Sequence, residues 1–145
     1  MQLSDKWFTA LSDNEDGTYT FISGRSDIDE FIKSGKMKER IEVTWTYEKD
    51  EKGLPANDHE AEIMEAVEER LRKAMEKDKL AILTGIYTGQ GKRDWIFIAR
   101  NTAAFGERLN DALAGLPQLP IAIYAEQDPE NEEYKSLLDL KGEED

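Results

Sequence analysis

The sequence contains no cysteine, and among its 145 residues it has one histidine, His59. The absence of cysteine excludes disulfide bonds, thiolate nucleophiles and cysteine-ligated zinc sites. A helical zinc-protease motif would need a second histidine at the position of Ile63. A triad would need His59 beside an activated hydroxyl group, and no pattern in the sequence places one there. The sequence therefore predicts no catalytic residues, no metal site and no cofactor.

Long apolar segments and positive charge are also scarce. No window approaches the ~20 apolar residues that cross a bilayer, and the first residues lack the basic and apolar regions of a signal peptide. Lys and Arg number 19 against 32 Asp and Glu, which gives a net charge of −13. Such a surface repels nucleic-acid phosphates, and it suits either a basic protein partner or solubility alone. We therefore expect a cytoplasmic protein that binds neither membranes nor nucleic acids directly.

Two glycine-containing stretches resemble ligand-binding loops but lack essential residues. The stretch from Gly85 to Lys92 is one residue too long for a Walker A loop, and it leads into a predicted strand, not into a helix. Asn14, Asp16 and Gly17 mimic part of a calcium loop, whose twelfth position would be a serine here instead of the required glutamate. Both stretches are better explained as turns between strands.

The strongest structural pattern in the sequence is a central β-hairpin. Two apolar runs, 81–87 and 95–99, flank the glycine-rich turn 88–91 and predict an antiparallel pair of buried strands. Residues 40–47 alternate apolar and polar side chains, which is typical of a strand with one buried face. Further strands are predicted at 7–11 and 18–23, joined by an Asp-Gly turn, and at 121–125.

Two long helices are predicted from capping residues and apolar spacing. Asn57 or Asp58 caps the first helix, and Asn57 with Glu60 resembles a capping box. Asn101 or Thr102 caps the second helix. The predicted buried residues of the first helix are Ile63, Met64, Val67, Leu71, Ala74 and Met75. Those of the second helix are Phe105, Leu109, Ala112, Leu113 and Leu116.

Two short helices and a frayed tail complete the prediction. Ser26 is predicted as the N-cap of a helix that runs to Ile32, with acidic residues in its first turn. Asp128 is predicted to cap the last helix, with Pro129 in its first helical position. The acidic tail 141–145 is expected to be frayed.

The order of predicted elements indicates an α+β fold. From residue 40 onward the order is strand, helix, strand, strand, helix, strand, which is the split βαββαβ pattern of a ferredoxin-like sandwich at 40–127. The N-terminal hairpin either extends the sheet or packs at its edge, and a short C-terminal helix is added. The length fits one domain, with 1–39 as an extension and 40–140 as the core.

The wetted face of the 40–47 strand is the candidate binding surface. Its polar residues Glu42, Thr44 and Thr46 could line a groove on an open sheet face, together with Asp94 or Arg100. Asp94 stands at the start of a core strand, where an acid is disfavoured unless it is paired. Pairing or capping of the turn is the simpler explanation for Asp94, and an active-site role is the alternative.

Several stretches together resemble the bacterial proteins grouped as domain of unknown function 695. The shared stretches are Gly53-Leu54-Pro55 before an acidic helix, Thr84-Gly85 and Arg93-Asp94-Trp95-Ile96-Phe97 in the central hairpin, Gly24-Arg25, and Asp128-Pro129 followed by Tyr134. At the fold level that family is similar to the type B regulators of ribonuclease E activity, which are small acidic proteins that bind a basic region of the nuclease. The resemblance implies a non-catalytic protein that binds a basic partner.

Three functions stay open on the sequence. The first is an acidic interaction or regulatory module, and the second is an immunity-type inhibitor of a toxin or nuclease. The third is a small-ligand-binding domain or enzyme that uses the open sheet face. The acidic helix residues Glu65, Glu68 and Glu69 are expected to be solvated surface. Because no nucleophile, metal set or cofactor loop is assembled, we favour the first function, and the sequence leaves the oligomeric state open.

Overall fold

A computed structural model describes residues 3–141 of the chain. The strands of this part are β1 (Lys6–Asp13), β2 (Tyr19–Ser26), β3 (Glu39–Thr46), β4 (Ala81–Gly89), β5 (Lys92–Ala99) and β6 (Ile121–Gln127). Its helices are α1 (Asp29–Lys33), α2 (Asp58–Glu76), α3 (Thr102–Ala112) and α4 (Glu132–Leu138), followed by a 3₁₀ turn at Asp139–Lys141. The predicted frayed tail, apart from Lys141, lies outside the described residues.

All the described strands form one antiparallel sheet with the order β1-β2-β4-β5-β3-β6. The N-terminal hairpin extends the sheet, because β2 pairs with β4. Among the other four strands, α2 joins β3 to β4 and α3 joins β5 to β6, so each crossover skips the strand that lies between. The predicted α+β class is therefore confirmed, and the narrower ferredoxin-like assignment stays a prediction.

The two faces of the sheet carry separate hydrophobic clusters. The face covered by α2 and α3, here called the helix face, buries Ile41, Val43, Trp45, Leu83, Trp95 and Phe97 against Met64, Val67, Leu71, Met75, Phe105 and Leu109. The opposite face, here called the second face, is covered in part by α1 and α4. Its cluster comprises Ile22, Ile28, Phe31, Met37, Ile82, Ile98, Tyr134 and Leu137. Alternation along each strand sends successive side chains to the two faces.

The predicted caps of the long helices are confirmed, but the capping box is incomplete. Asn57 Oδ1 accepts the backbone N–H of Glu60 at 3.1 Å, and Asn101 Oδ1 accepts that of Ala104 at 2.8 Å. The Glu60 carboxylate does not return to Asn57. It accepts the Trp45 indole N–H and the Glu48 backbone N–H, both at 3.1 Å. The buried tryptophan needs an acceptor, and Glu60 supplies it.

Both short helices begin later than predicted. Ser26 is the last residue of β2, where it pairs with Lys6, so it is not the N-cap of α1. Asp27 then adopts a φ of +58°, and the chain turns before the helix begins. Likewise α4 begins after Asn131, so Pro129 is not its first residue. Asp128 still caps this helix from a distance, because its carboxylate accepts the N–H groups of residues 132 and 133.

Arg25 is the buried junction between the N-terminal hairpin and the rest of the fold. Its side chain is 1% exposed, and its Nη1 donates to Glu76 Oε2 at 2.7 Å and to the Leu83 carbonyl at 3.0 Å. Its guanidinium lies 5.1 Å from the centre of the Trp7 ring. The backbone carbonyl of Arg25 accepts the Tyr134 hydroxyl at 2.6 Å. One residue thus connects β1, β2, β4, α2 and α4.

We predict that Arg25→Ala lowers the free energy of unfolding by about 3 kcal/mol, because the largely buried Glu76 would lose its nearest counter-charge and keep only Arg72, at 3.6 Å. Equilibrium unfolding in urea measures this loss. Arg100→Ala removes an exposed arginine and is the matched control, expected within about 0.5 kcal/mol of wild type. Equal effects of the two substitutions would show that Arg25 does not hold the junction.

Candidate functional site

The structure places the predicted groove residues of β3 on the second face, where two of them form hydrogen bonds with neighbouring side chains. Thr44 Oγ1 donates to Asp94 Oδ1 at 2.5 Å, and Arg40 Nη1 donates to Glu42 at 2.6 Å. Thr46 lies opposite Lys92 in the ladder between β3 and β5. Asp94 is therefore paired, as its simpler explanation predicted, and its partner is a hydroxyl group on the neighbouring strand.

Arg100 is not part of this cluster. It follows β5, six residues after Asp94, which corresponds to about 20 Å along an extended strand, and it lines a different depression with Phe31 and Met37. On the second face, the cavity beside Arg40 and Tyr87 has a volume of about 10 Å³, which is enough for about one water molecule. The predicted site residues thus separate into two places, and this cavity leaves little room for a ligand.

A much larger groove lies on the helix face, with a volume of about 700 Å³. It forms because the sheet is wider than the helix layer on this face. Here β1 and β2 continue past α2, and within the described residues no further helix covers their helix-face side. Here this depression is called the α2 groove. Its charged lining residues are Glu65, Glu68, Glu69, Arg72 and Arg93, and its apolar ones are Phe21, Leu54, Pro55 and Ile86.

Glu68 stands where the α2 groove meets the core. The indole N–H of the buried Trp95 donates to Glu68 Oε1 at 2.8 Å. Burial raises the pKa of the Glu68 carboxyl, although the Trp95 hydrogen bond and the charge of Arg93 act in the opposite direction. The folded protein therefore resists ionisation of this carboxyl, whereas a cation bound in the groove would favour the ionised form.

The two arginines of the groove are occupied by other contacts. Arg72 forms ion pairs with Asp5 and, at 3.6 Å, with Glu76, and it lies over the Trp7 ring. Arg93 Nε donates to the Thr88 hydroxyl at 2.9 Å. By contrast, within residues 3–141 neither Glu65 nor Glu69 has a cation within 4 Å. The groove therefore presents carboxylates that are available to an external positive charge.

Exposed apolar side chains border these carboxylates. Phe21 is 49% exposed at the groove, and Leu11, its partner on the neighbouring strand, is 55% exposed. Leu54 and Pro55 from the loop before α2 form another part of the wall. An apolar surface beside carboxylates matches the two parts of a lysine or arginine side chain, which has an aliphatic stem and a charged end.

This groove was not predicted from the sequence, because the glutamates of α2 were expected to be solvated surface. That is correct for Glu65 and Glu69, which are exposed, and wrong for Glu68, which is half-buried. An indirect signal was present: Trp95 in a core strand needs an acceptor for its indole N–H. Glu68 follows Val67 at the edge of the buried stripe of α2, so its carboxylate was a candidate acceptor for that N–H.

Within residues 3–141 the structure contains neither a metal-binding cluster nor a membrane-spanning helix. No group of three or more His, Cys, Asp or Glu side chains in this range could hold a metal ion. In the same range, no helix has the length and apolar character needed to cross a membrane.

One family model matches most of the chain. The Family of unknown function (DUF695) covers residues 5–138, and it is the family that the sequence stretches resembled. Comparison with curated proteins gave no significant match, and neither did comparison with solved structures. The similarity to the type B regulators of ribonuclease E activity stays a prediction.

We predict that Glu68→Gln gains stability relative to wild type as the pH rises. The protonated Glu68 carboxyl contributes fully to stability below its ordinary pKa of 4.5. Because burial raises the pKa in the folded protein, this contribution is lost as the pH rises through that higher pKa. Glutamine still accepts the Trp95 N–H but cannot ionise. Urea unfolding between about pH 4 and about pH 7 tests this.

Glu107→Gln, on the exposed side of α3, is the matched control for the loss of one carboxylate. If Glu68→Gln and Glu107→Gln showed the same change of stability with pH, the Glu68 carboxyl would not be the cause.

Proposed function

We propose that the chain, which belongs to this family, is a protein-binding module that recognises a basic segment of a partner protein through the α2 groove. The observation that supports the proposal is the set of groove glutamates, Glu65, Glu68 and Glu69, beside the exposed apolar surface of Phe21. The net charge of −13 acts in the same direction at longer range, because it attracts a basic partner before contact is made.

The geometry suits an extended segment with lysine or arginine side chains. The stem of such a side chain would cover Phe21 or Leu54, and its charged end would reach the carboxylates of α2. Ion pairs at exposed carboxylates contribute about 0–1 kcal/mol each, so burial of the aliphatic stems against Phe21 and Leu54 is expected to supply the larger share of the affinity. Because the groove is open to solvent, added salt would weaken these contacts.

The other functions have less support from the structure. An immunity-type inhibitor would be the same module with a toxin or nuclease as its partner, and the identity of the partner decides between the two. For a small-ligand site on the second face, the cavity beside Arg40 has a volume of about 10 Å³. The larger depression between α1 and α4, of about 620 Å³, is lined by none of the predicted groove residues. The cytoplasmic location that the sequence led us to expect stays part of this proposal.

We predict that Glu65→Lys combined with Glu69→Lys weakens binding of the basic partner at least about tenfold, because two favourable charges become repulsive. Affinity capture from a lysate with wild-type and variant baits identifies proteins that depend on the groove. Titration of the purified partner then gives the dissociation constants, and nuclease treatment of the lysate excludes capture through nucleic acid.

The matched control changes the net charge equally at exposed acids elsewhere, with Glu107→Lys and Glu130→Lys. This control is expected to change the dissociation constant less than about threefold, because distant surface charges are screened. Equal weakening by both double variants would show that only the overall charge matters. A wild-type complex whose affinity is unaffected by salt would contradict the proposal directly.

A further inference from the structure

We infer that two copies of this chain pair through their β6 edges, as antiparallel strands related by a two-fold axis at Tyr124. β6 is the last strand of the sheet, and in the described residues only β3 pairs with it. Its outer edge is therefore a row of backbone donors and acceptors that another strand can occupy. This inference is independent of the proposed function of the α2 groove.

The hydrogen bonds at both ends of β6 identify the backbone groups on its open edge. The Thr46 N–H donates to the Pro120 carbonyl at 3.1 Å, and the Asp128 N–H donates to the Lys38 carbonyl at 2.7 Å. In an antiparallel ladder, alternate residues point their backbone groups to the same side. Even-numbered residues of β6 therefore face β3, and Ile123 and Ala125 direct their N–H and C=O groups outward.

The middle of β6 carries exposed apolar side chains in a chain that is otherwise rich in charge. Ile123 is 47% exposed and Tyr124 is 56% exposed, and as successive strand residues they lie on opposite faces. The only charged residue in β6 is Glu126, which has Arg40 of its own chain at 3.6 Å. Edge strands usually carry charges that prevent pairing, and the segment Ile121–Ala125 carries none.

The other edge of the sheet, formed by β1, is better protected against pairing with another strand. β1 begins with Lys6 and ends with Asp13, and the 3₁₀ turn Asp139–Lys141 packs next to it. Lys6 also forms an ion pair with Asp27 at 3.4 Å. Charges and a covering segment are two ways in which proteins prevent edge pairing. β6 is therefore the edge that is suited to a second strand.

Self-pairing suits β6 because a two-fold axis at Tyr124 places compatible residues opposite one another. Tyr124 would face its own copy as a non-hydrogen-bonded pair, and cross-strand aromatic pairs are favourable. Ile123 would exchange backbone hydrogen bonds with Ala125 of the second copy. By symmetry, Ala125 would form the same pair of bonds with Ile123 of the second copy. Glu126 would lie opposite Ala122, so no like charges meet. A basic partner would find one acid on this strand, Glu126, which already shares Arg40 with Glu42.

The dimer is expected to be weak and to be strengthened by salt. One added strand buries less surface than the ~1,000 Å² or more of a stable interface, which implies a dissociation constant on the order of micromolar to tens of micromolar. The net charge of −13 on each copy opposes association, and salt screens this repulsion. The proposed basic partner has the opposite salt dependence, so the two associations can be distinguished.

Single-cysteine variants test the register, because the chain has no cysteine of its own. In the proposed pairing, the two Cα atoms of residue 124 are about 4.5 Å apart, within the range of about 4.4–6.8 Å that a disulfide bridges. Those of residue 122 are about 13 Å apart along the strands. Under mild oxidation, Tyr124→Cys is expected to form covalent dimers at least about tenfold faster than Ala122→Cys, the matched exposed control. Equal rates would overturn the register.

Sedimentation equilibrium of the full chain tests the association itself. Ala125→Pro removes an outward N–H without touching the ladder to β3, and proline is tolerated at such edge positions. It is expected to raise the dimer dissociation constant at least about tenfold with little change in the urea midpoint. Ile123→Lys provides the same test with a charge if the proline variant does not fold. A wild-type chain that stays monomeric up to about 1 mM, or a dimer unaffected by both substitutions, would overturn the inference.

Discussion

The buried guanidinium of Arg25 is the contact on which the arrangement of this fold depends. An ion removed from water is costly, and only a full set of partners makes it acceptable. Arg25 obtains these partners from Glu76, from the backbone of Leu83 and from the Trp7 ring. Glu76 is the last residue of α2, where a negative charge is unfavourable for the helix dipole. The same contact therefore neutralises the end of α2 and fixes the N-terminal hairpin beside it.

The position of the hairpin determines the shape of the helix face. Because β1 and β2 widen the sheet beyond α2, the side chains of Phe21 and Ser23 line a groove instead of a closed core. Arg72, which lines that groove, is held by its ion pair with Asp5 and by its contact with the Trp7 ring. The carboxylates of α2 then face an apolar wall, which is a different surface from the solvated helix side that their sequence pattern suggests.

Charge is distributed unevenly over the surface. The α2 groove and the β6 edge are therefore suited to partners of different charge. The α2 groove concentrates carboxylates whose neighbouring arginines are engaged elsewhere, and it is suited to a cation. The β6 strand has one acid, Glu126, which shares Arg40 with Glu42, and its segment Ile121–Ala125 is uncharged and suited to another uncharged strand. Low salt would favour the first contact and high salt the second, because screening weakens attraction and repulsion alike.

Most of the strands, the two long helices, the class of fold and the family could be predicted from the sequence. Alternation along residues 40–47, the caps Asn57 and Asn101, and the glycine turn of the central hairpin are local signals, and local geometry decides them. The tertiary structure alone decided that Ser26 ends a strand, that Glu60 and Glu68 serve buried tryptophans, and that Arg25 is buried. Each of these outcomes depends on which distant elements become neighbours, and a period of two or 3.6 residues carries no information about that pairing.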